Sequence, residues 1–572
     1  MHSSALLIPL LLLQAGWLLA PGLLVALLLV QREKIKGYLA VPLAGLFGCV
    51  AGYGALWAYF AGHWLGNAYV VAFALLSLGS AGLLAVRREL RSALLHVDVA
   101  GPLLLLGLLA LFYCSITFSC TIPATAGQIN DFCHLYGITG DNYLPQIFAD
   151  RIHHGDPRAL TWDWQGSDRP PLQSGVQLLQ APLTEWPRWR TDSYEVLTVL
   201  LQALWLPALW ALCRALRMPP RAIAPVAALC VCTGFLLFNS VFTWPKLLPA
   251  ALVVLACVVL FFEPRGRWTW IIGGLAAGAA LTAHGGVVFT LVPIGVALLL
   301  PRYRPSWAAL GLTLLAALAM FAPWQAYQRL YDPPGDRLLK MHLAGIDDMT
   351  DHRPLGTALS QRYAGTTFGD IVHNKLLNLT TLFGSPNAGY RLLGLDPAGI
   401  LRYQEFRVLV VAFLLLHLGW LALATRTNRH RLAASVDAGR LRLVFAIAGA
   451  SLLVWVLLMF GPATTLLHQG SYATMLLLFA ALGALLSTLP RWLIRTAVAV
   501  QALYWVVVWV ALVWHPNHLH PGYVTLTVLS GAALAATLAL LPRLAHPSPD
   551  LGRSTSPSRP ALSAYFRARQ RS

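Results

Sequence analysis

The chain is 572 residues long, with 57% hydrophobic and only 11% charged residues. Soluble globular chains carry roughly 25% charged residues, so a water-soluble fold, which could not hide this much apolar surface, is excluded. Lys and Arg outnumber Asp and Glu by 41 to 23, a formal net charge of +18, but the cations flank apolar blocks instead of forming a patch, which argues against nucleic acid as a partner.

The apolar residues fall in blocks of about 17–25, the length that crosses a hydrocarbon core of ~30 Å. In chain order the predicted spans are approximately 4–30, 38–61, 67–86, 97–118, 193–213, 222–242, 247–263, 268–283, 286–301, 306–324, 406–425, 443–462, 472–489, 495–514 and 522–541, about fifteen in all. Lipid cannot satisfy backbone polar groups, so each must be a helix. The expected fold class is therefore an all-α polytopic membrane protein. Met1–Ser4 carries no cationic region and no small-residue cleavage site follows, so the first block reads as a true span, not a cleaved signal.

Basic residues cluster in alternate gaps: Arg32/Lys34/Lys36, Arg87/Arg88/Arg91, Arg214/Arg217/Arg221, Arg265/Arg267, Arg302/Arg304, Arg426/Arg429/Arg431/Arg440, Arg491/Arg495 and Arg543 to Arg571. The positive-inside bias then puts the C-terminus in the cytoplasm and, for an odd number of spans, the N-terminus outside. Compact loops suggest a bacterial inner (plasma) membrane. Residues 1–96 hold three accessory helices, 97–324 a core that includes an outer loop at 119–192, and 325–405 a second outer loop. Further helices occupy 406–542. The tail, 543–572, is rich in Pro, Ser and Arg and reads as disordered cytoplasmic sequence in reach of anionic lipid. The polar inner stretch 426–441 has room for a short surface helix.

Most acidic residues lie in the two outer loops and the spans hold almost none, whereas ion-coupled transporters usually keep ionisable groups near the midplane. Chemistry is thus expected at the outer surface. Six of the eight cysteines sit in or near spans as small core residues; Cys120 and Cys133 lie in loop one, where a disulfide is open but not required. Loop one carries Gly140-Asp141-Asn142-Tyr143, with Tyr143, Ile147 and Phe148 on one face of a short amphipathic helix suited to an interface. Asp141 would sit at its start, as a functional carboxylate or as a plain N-cap. Further on, Asp168-Arg169-Pro170-Pro171-Leu172 fixes an acid and a base on a rigid turn; a structural salt bridge would account for it equally well.

Other candidates lie at outer ends of spans. Lys246, in Trp244-Pro245-Lys246, is a lone cation where the charge bias leaves almost none, either snorkelling or holding an anion. His284-Gly285-Gly286 makes a tight turn, with packing the plainer role, and His468-Gln469-Gly470-Ser471-Tyr472 is equally ambiguous. Loop two opens with Tyr331-Asp332-Pro333-Pro334-Gly335, after which Arg337, Lys340 and His342 fall on neighbouring helix faces, either as a solvated cationic surface or as ligands. No CxxC or His/Cys metal spacing appears. Asp131, Asp141, Asp150 and Asp168 could assemble a hard-ion site, but nothing in their spacing requires one, so no metal or other cofactor is expected.

Together these residues resemble the GT-C superfamily of membrane glycosyltransferases, and among them the aminoarabinose and protein-mannosyl transferase branch. The resemblance rests on a span followed by a large outer loop, which opens with Asp141-Asn142-Tyr143 and closes on Asp168-Arg169-Pro170-Pro171-Leu172; six spans then precede a second outer loop. It covers about 97–425. Departures are the three preceding helices, Asn142 where the family often has a second acid, and Arg169 where it often has lysine.

The resemblance implies a GT-C-like core and transfer of a sugar from a polyprenyl-phosphate donor to a glycan, lipid or protein acceptor, with inversion. The phosphate leaves as a stabilised anion, so one carboxylate to take the acceptor proton and cations for the phosphate suffice. Asp141 is then the expected base, Asp168 positions the acceptor or shares that role, and Arg169, Lys246, Tyr143, His284, Arg337, Lys340 and His342 are expected to bind substrate. Rival readings are a transporter or lipid-linked glycan flippase, a surface-glycan ligase or polymerase, and a scaffold without chemistry.

Overall fold

The structure, a computed structural model, describes residues 6–119, 140–160, 164–184, 190–348, 350–383, 418–419, 421–422, 437–461, 471–506 and 521–546. Cys120, Cys133, Asp131, the His468 motif, most of the 406–425 span, the polar stretch at 426–436 and nearly all of the basic tail lie outside them, as does the side chain of Asp141.

The described chain is helical apart from one isolated bridge between Ala159 and Gln165. Its helices are α1 Leu7–Gln31, α2 Ala40–Ala61, α3 His63–Val86, α4 Arg88–Leu94, α5 Val97–Ser119, α6 Leu144–His154, α7 Leu172–Leu179, α8 Ala181–Thr184, α9 Arg190–Ala203, α10 Trp205–Ala215, α11 Pro220–Val231 and α12 Gly234–Val241. They continue with α13 Leu247–Phe262, α14 Arg267–Ala283, α15 Val288–Leu299, α16 Trp307–Ala326, α17 Arg337–Ala344, α18 Leu355–Ala364, α19 Phe368–Phe383, α20 Ala438–Leu458, α21 Ser471–Leu485, α22 Arg491–Val506 and α23 Pro521–Ala545.

Among the described residues eight helices are long and apolar enough to cross a membrane: Leu7–Gln31, Gly37–Ala61, His63–Val86, Val97–Ser119, Asp192–Ala215, Trp307–Tyr331, Ala438–Leu458 and Pro521–Ala545. Counting the pair α11 and α12, bent by 57°, as one span makes nine. The expected count of about fifteen is not confirmed among the described residues. The 222–242 block breaks after Cys232, where Thr233 caps α12 by accepting from Leu236 N at 3.3 Å. The blocks at 247–263, 268–283, 286–301 and 472–489 form shorter helices, and α22 is described only to Val506. Exposed leucines on α1, α3 and α16, such as Leu12, Leu75, Leu78 and Leu315, would be an aggregation liability in water but suit lipid. The chain is thus compatible with a multi-pass membrane protein.

Close packing joins α14 to α16, α5 to α23, α1 to α2 and α2 to α7. The α14–α16 pair depends on small residues: a Cβ at Gly274 would lie 2.2 Å from Thr313 O, and one at Gly278 2.5 Å from Ala317 O. Two glycines four apart let the backbones approach as membrane helix pairs do.

Polar contacts mark two opposite ends of the bundle. At one, Arg214 pairs with Asp98 at 3.2 Å, Tyr38 donates to Glu263 at 2.6 Å and Arg440 donates to Ala215 O. The ends of α12, α14 and α16 and the starts of α6, α9 and α21 gather at the other, which carries the candidate site. Helix α6 differs from the expected interfacial element. Leu144, Pro145, Phe148 and Ala149 are buried, and the Phe148 ring meets Trp324 and Tyr327, so its apolar face covers protein.

Candidate functional site

Loop one and loop two lock together at one short turn. Leu160 N donates to Trp164 O and Gly166 N to Arg158 O, closing a small hairpin that delivers the 3-10 turn Gly166–Asp168. Pro170 and Pro171 then stop the turn before α7. Asp168 accepts from Gln165 N at 3.0 Å and pairs with Arg337 at 3.4 Å. Ser167 N donates to Asp332 Oδ2 at 2.8 Å, and Gln328 donates to Ser167 O at 2.8 Å and Gly335 O at 3.2 Å. Gly335 is needed here: its φ is +63°, and a Cβ would meet Gln328 O at 2.6 Å. Asp168 is 4% exposed. Burial pushes its carboxyl above the ordinary range, opposed by the Gln165 amide, Arg337 and Arg169.

From this turn a series of cations and aromatic rings runs into the bundle. The Arg337 guanidinium lies 5.1 Å from the Trp164 ring centre, and Arg169 lies 3.8 Å from Trp164 and 4.9 Å from Trp244. Lys246 Nζ follows, 3.8 Å from Trp244 and 5.4 Å from Tyr472. Arg169 and Lys246 are 8% and 4% exposed, which is rare for such residues and signals a built environment. Ring faces attract cations, so the tryptophans hold positive groups side by side.

His284 ends the series, its ring 6.4 Å from Trp244, beside a small recess lined by Lys246, Pro249, Thr290 and Tyr472. Burial, then Lys246, Arg169 and His342, depress its basicity well below the usual imidazole range. The ring is therefore neutral near pH 7. Gly286 N donates to Nδ1 at 3.0 Å, so the ring proton sits on Nε2, making that nitrogen a donor.

Behind the cations lies a buried hydrogen-bond frame. Gln173 donates to Thr243 O at 2.9 Å and to Tyr194 OH at 3.1 Å, while Tyr194 OH donates to Asn142 O at 2.5 Å. Gln202 donates to Gln173 at 3.1 Å and accepts from Leu247 N and Leu248 N, and Thr243 donates to Glu195 at 3.3 Å. The frame ties the Asp141 turn, α7, α9 and the Trp244–Lys246 segment into one unit. Glu195 is fully buried within the span Asp192–Ala215, one of the few acids that the spans hold.

No family model matches the chain, nor does any curated protein or solved structure. The local arrangement therefore carries the functional reading.

Of the sequence-predicted residues, Asp168, Arg169, Lys246, His284, Arg337 and His342 are brought to one neighbourhood. Asp141 is the second residue of the turn Gly140–Tyr143, and Tyr143, half-buried, ends it. Lys340 is not brought in. Its ammonium is buried, paired with Asp336 at 3.0 Å and Asp351 at 3.9 Å, and donates to Asp351 O at 2.7 Å, so it holds loop two together. Trp164, Trp244 and Tyr472 complete the site. The sequence signal for the tryptophans was their place beside Arg169 and Lys246. Among the described residues no group of three His, Cys, Asp or Glu is placed to hold a metal. The arrangement can bind an anionic group beside a carboxylate of raised basicity.

Proposed function

We propose that the protein is an inverting membrane glycosyltransferase that moves a sugar from a polyprenyl-phosphate donor to a glycan, lipid or protein acceptor. The single observation carrying this reading is the series Arg337–Trp164–Arg169–Trp244–Lys246, with Asp168 at its head and neutral His284 at its foot. Cations held on ring faces suit a phosphate that must leave as an anion. A carboxylate takes the acceptor proton; Asp141 is assigned this role, with Asp168 positioning the acceptor. In this reading the shorter helices also cross the bilayer, giving about fifteen spans. The two loops then face outward from a bacterial inner membrane, with the N-terminus outside and the C-terminus in the cytoplasm.

The test is release of polyprenyl phosphate from a panel of labelled polyprenyl-phosphate sugars by reconstituted protein. Asp141→Asn should abolish turnover while donor still binds, and Arg169→Ala should weaken donor binding. Full turnover by Asp141→Asn removes that residue as the base. No release from any donor with any acceptor sinks the enzyme.

A transporter or flippase is the second reading, favoured by the 57° break between α11 and α12 and by Glu195 within a span. Broken helices and buried acids mark translocation paths. Movement of intact donor across the bilayer, with no cleavage, would favour it.

A further inference from the structure

Helix α19, in loop two, has three distinct sectors. The first is anchored: Lys375 Nζ donates to Met459 O, and Asn378 donates to Val456 O at 3.1 Å and Met459 O at 2.9 Å. Val456 and Met459 lie at the end of α20, where the last turn of a helix leaves its carbonyls without intrahelical partners. Side chains of α19 supply donors to them, so α19 is fixed at the level where a candidate membrane span ends.

The second sector is apolar and exposed. Phe368, Val372, Leu376 and Leu379 recur at steps of four, four and three residues, one stripe of a 3.6-residue helix. Phe368 is 80% exposed and Leu376 55%, which in water would be unfavourable. The third sector holds Asp370, His373 and Thr380, also exposed. The apolar stripe continues a surface already suited to lipid, since Leu453, Leu457 and Leu458 of α20 are exposed just below the anchoring carbonyls.

We propose that α19 is a lipid-contacting helix lying along the bilayer surface, its Phe368–Val372–Leu376–Leu379 stripe set among the acyl chains and its Asp370–His373–Thr380 sector in water. A helix with an apolar stripe and an opposing polar sector binds an interface in this orientation. Its occupant is bilayer lipid, argued from the exposed leucines of α20 and from the level fixed by the Asn378 hydrogen bonds. The assignment is independent of any transferase activity.

The test places nitroxide labels on full-length protein in phospholipid nanodiscs, in a Cys120→Ser, Cys133→Ser background, at Val372→Cys, Leu376→Cys, His373→Cys and Thr380→Cys. Collision with oxygen, which partitions into lipid, is compared with collision with a water-soluble nickel chelate. Oxygen should dominate at 372 and 376, and the chelate at 373 and 380. Chelate access equal at all four positions overturns the proposal. Exclusion of both reagents at 372 and 376 also overturns it, because another part of the chain or a second copy then covers the stripe. All four labels sit on exposed positions, so misfolding of one, seen as aggregation, leaves the sector comparison to the others.

Discussion

Replacing Lys340 by methionine separates its architectural role from ligand binding. Lys340 and Asp336 are each 1% exposed and 3.0 Å apart. Removing the ammonium leaves a carboxylate buried without its cation, and breaking a buried pair this way costs about 3–5 kcal/mol. Asp351 is less affected, because Arg353 lies 2.6 Å from it and its carboxyl is lowered to about 2, chiefly by that hydrogen bond. The cost therefore falls on α17, where hydrogen-exchange protection of Arg337–Ala344 should drop by about a hundredfold or more, taking ~1.4 kcal/mol per tenfold. The double variant Asp336→Leu, Lys340→Met removes both charges and should recover most of the protection, since apolar replacement of a buried pair is often near neutral. Unchanged protection in Lys340→Met, or a double variant as damaged as the single, would refute the reasoning. Weaker donor binding with α17 intact would restore Lys340 as a ligand.

Gly278→Ala should destabilise the protein by about 1–3 kcal/mol, an overpacking cost, because its Cβ meets the Ala317 carbonyl at 2.5 Å. Gly295→Ala, with nothing within 4 Å, is the control, and equal thermal unfolding of both variants would deny the close helix contact. Binding of a phosphodiester lipid, whose own charge is constant in this window, should tighten as pH falls through the raised Asp168 value. The sign follows because protonation removes a negative charge beside the cations. Asp168→Asn should flatten the upper part of that profile, whereas His284 gains its proton only well below the usual imidazole range. An unchanged profile in Asp168→Asn would separate this carboxyl from the anion.

Apolar blocks were legible because hydrophobic length is a local property, and eight of them stand as helices long enough to cross a bilayer. Breaks were less legible: the bend after Cys232 depends on Thr233 capping α12, a choice invisible to an averaged window. At the site, the Arg169 turn and Lys246 stood out as charges beside proline and tryptophan. Their convergence did not, because Trp164, Trp244, His284 and Tyr472 come together from distant segments of the chain. Lys340 and Arg337 look alike in sequence; Asp336 and Asp351 take one of them into the interior, while Asp168 holds the other at the turn. Glu195 escaped notice because one acid hardly alters the hydropathy of a span.

The tryptophan spacing has a consequence for binding. Like charges crowded into a dry region repel one another, so their surroundings must hold each one in place. Here the Trp244 indole contributes to that restraint, with Arg169 4.9 Å and Lys246 3.8 Å from its ring centre. Side chains restrained by an indole give up less freedom when they take hold of an anion, which lowers the entropic cost of its capture.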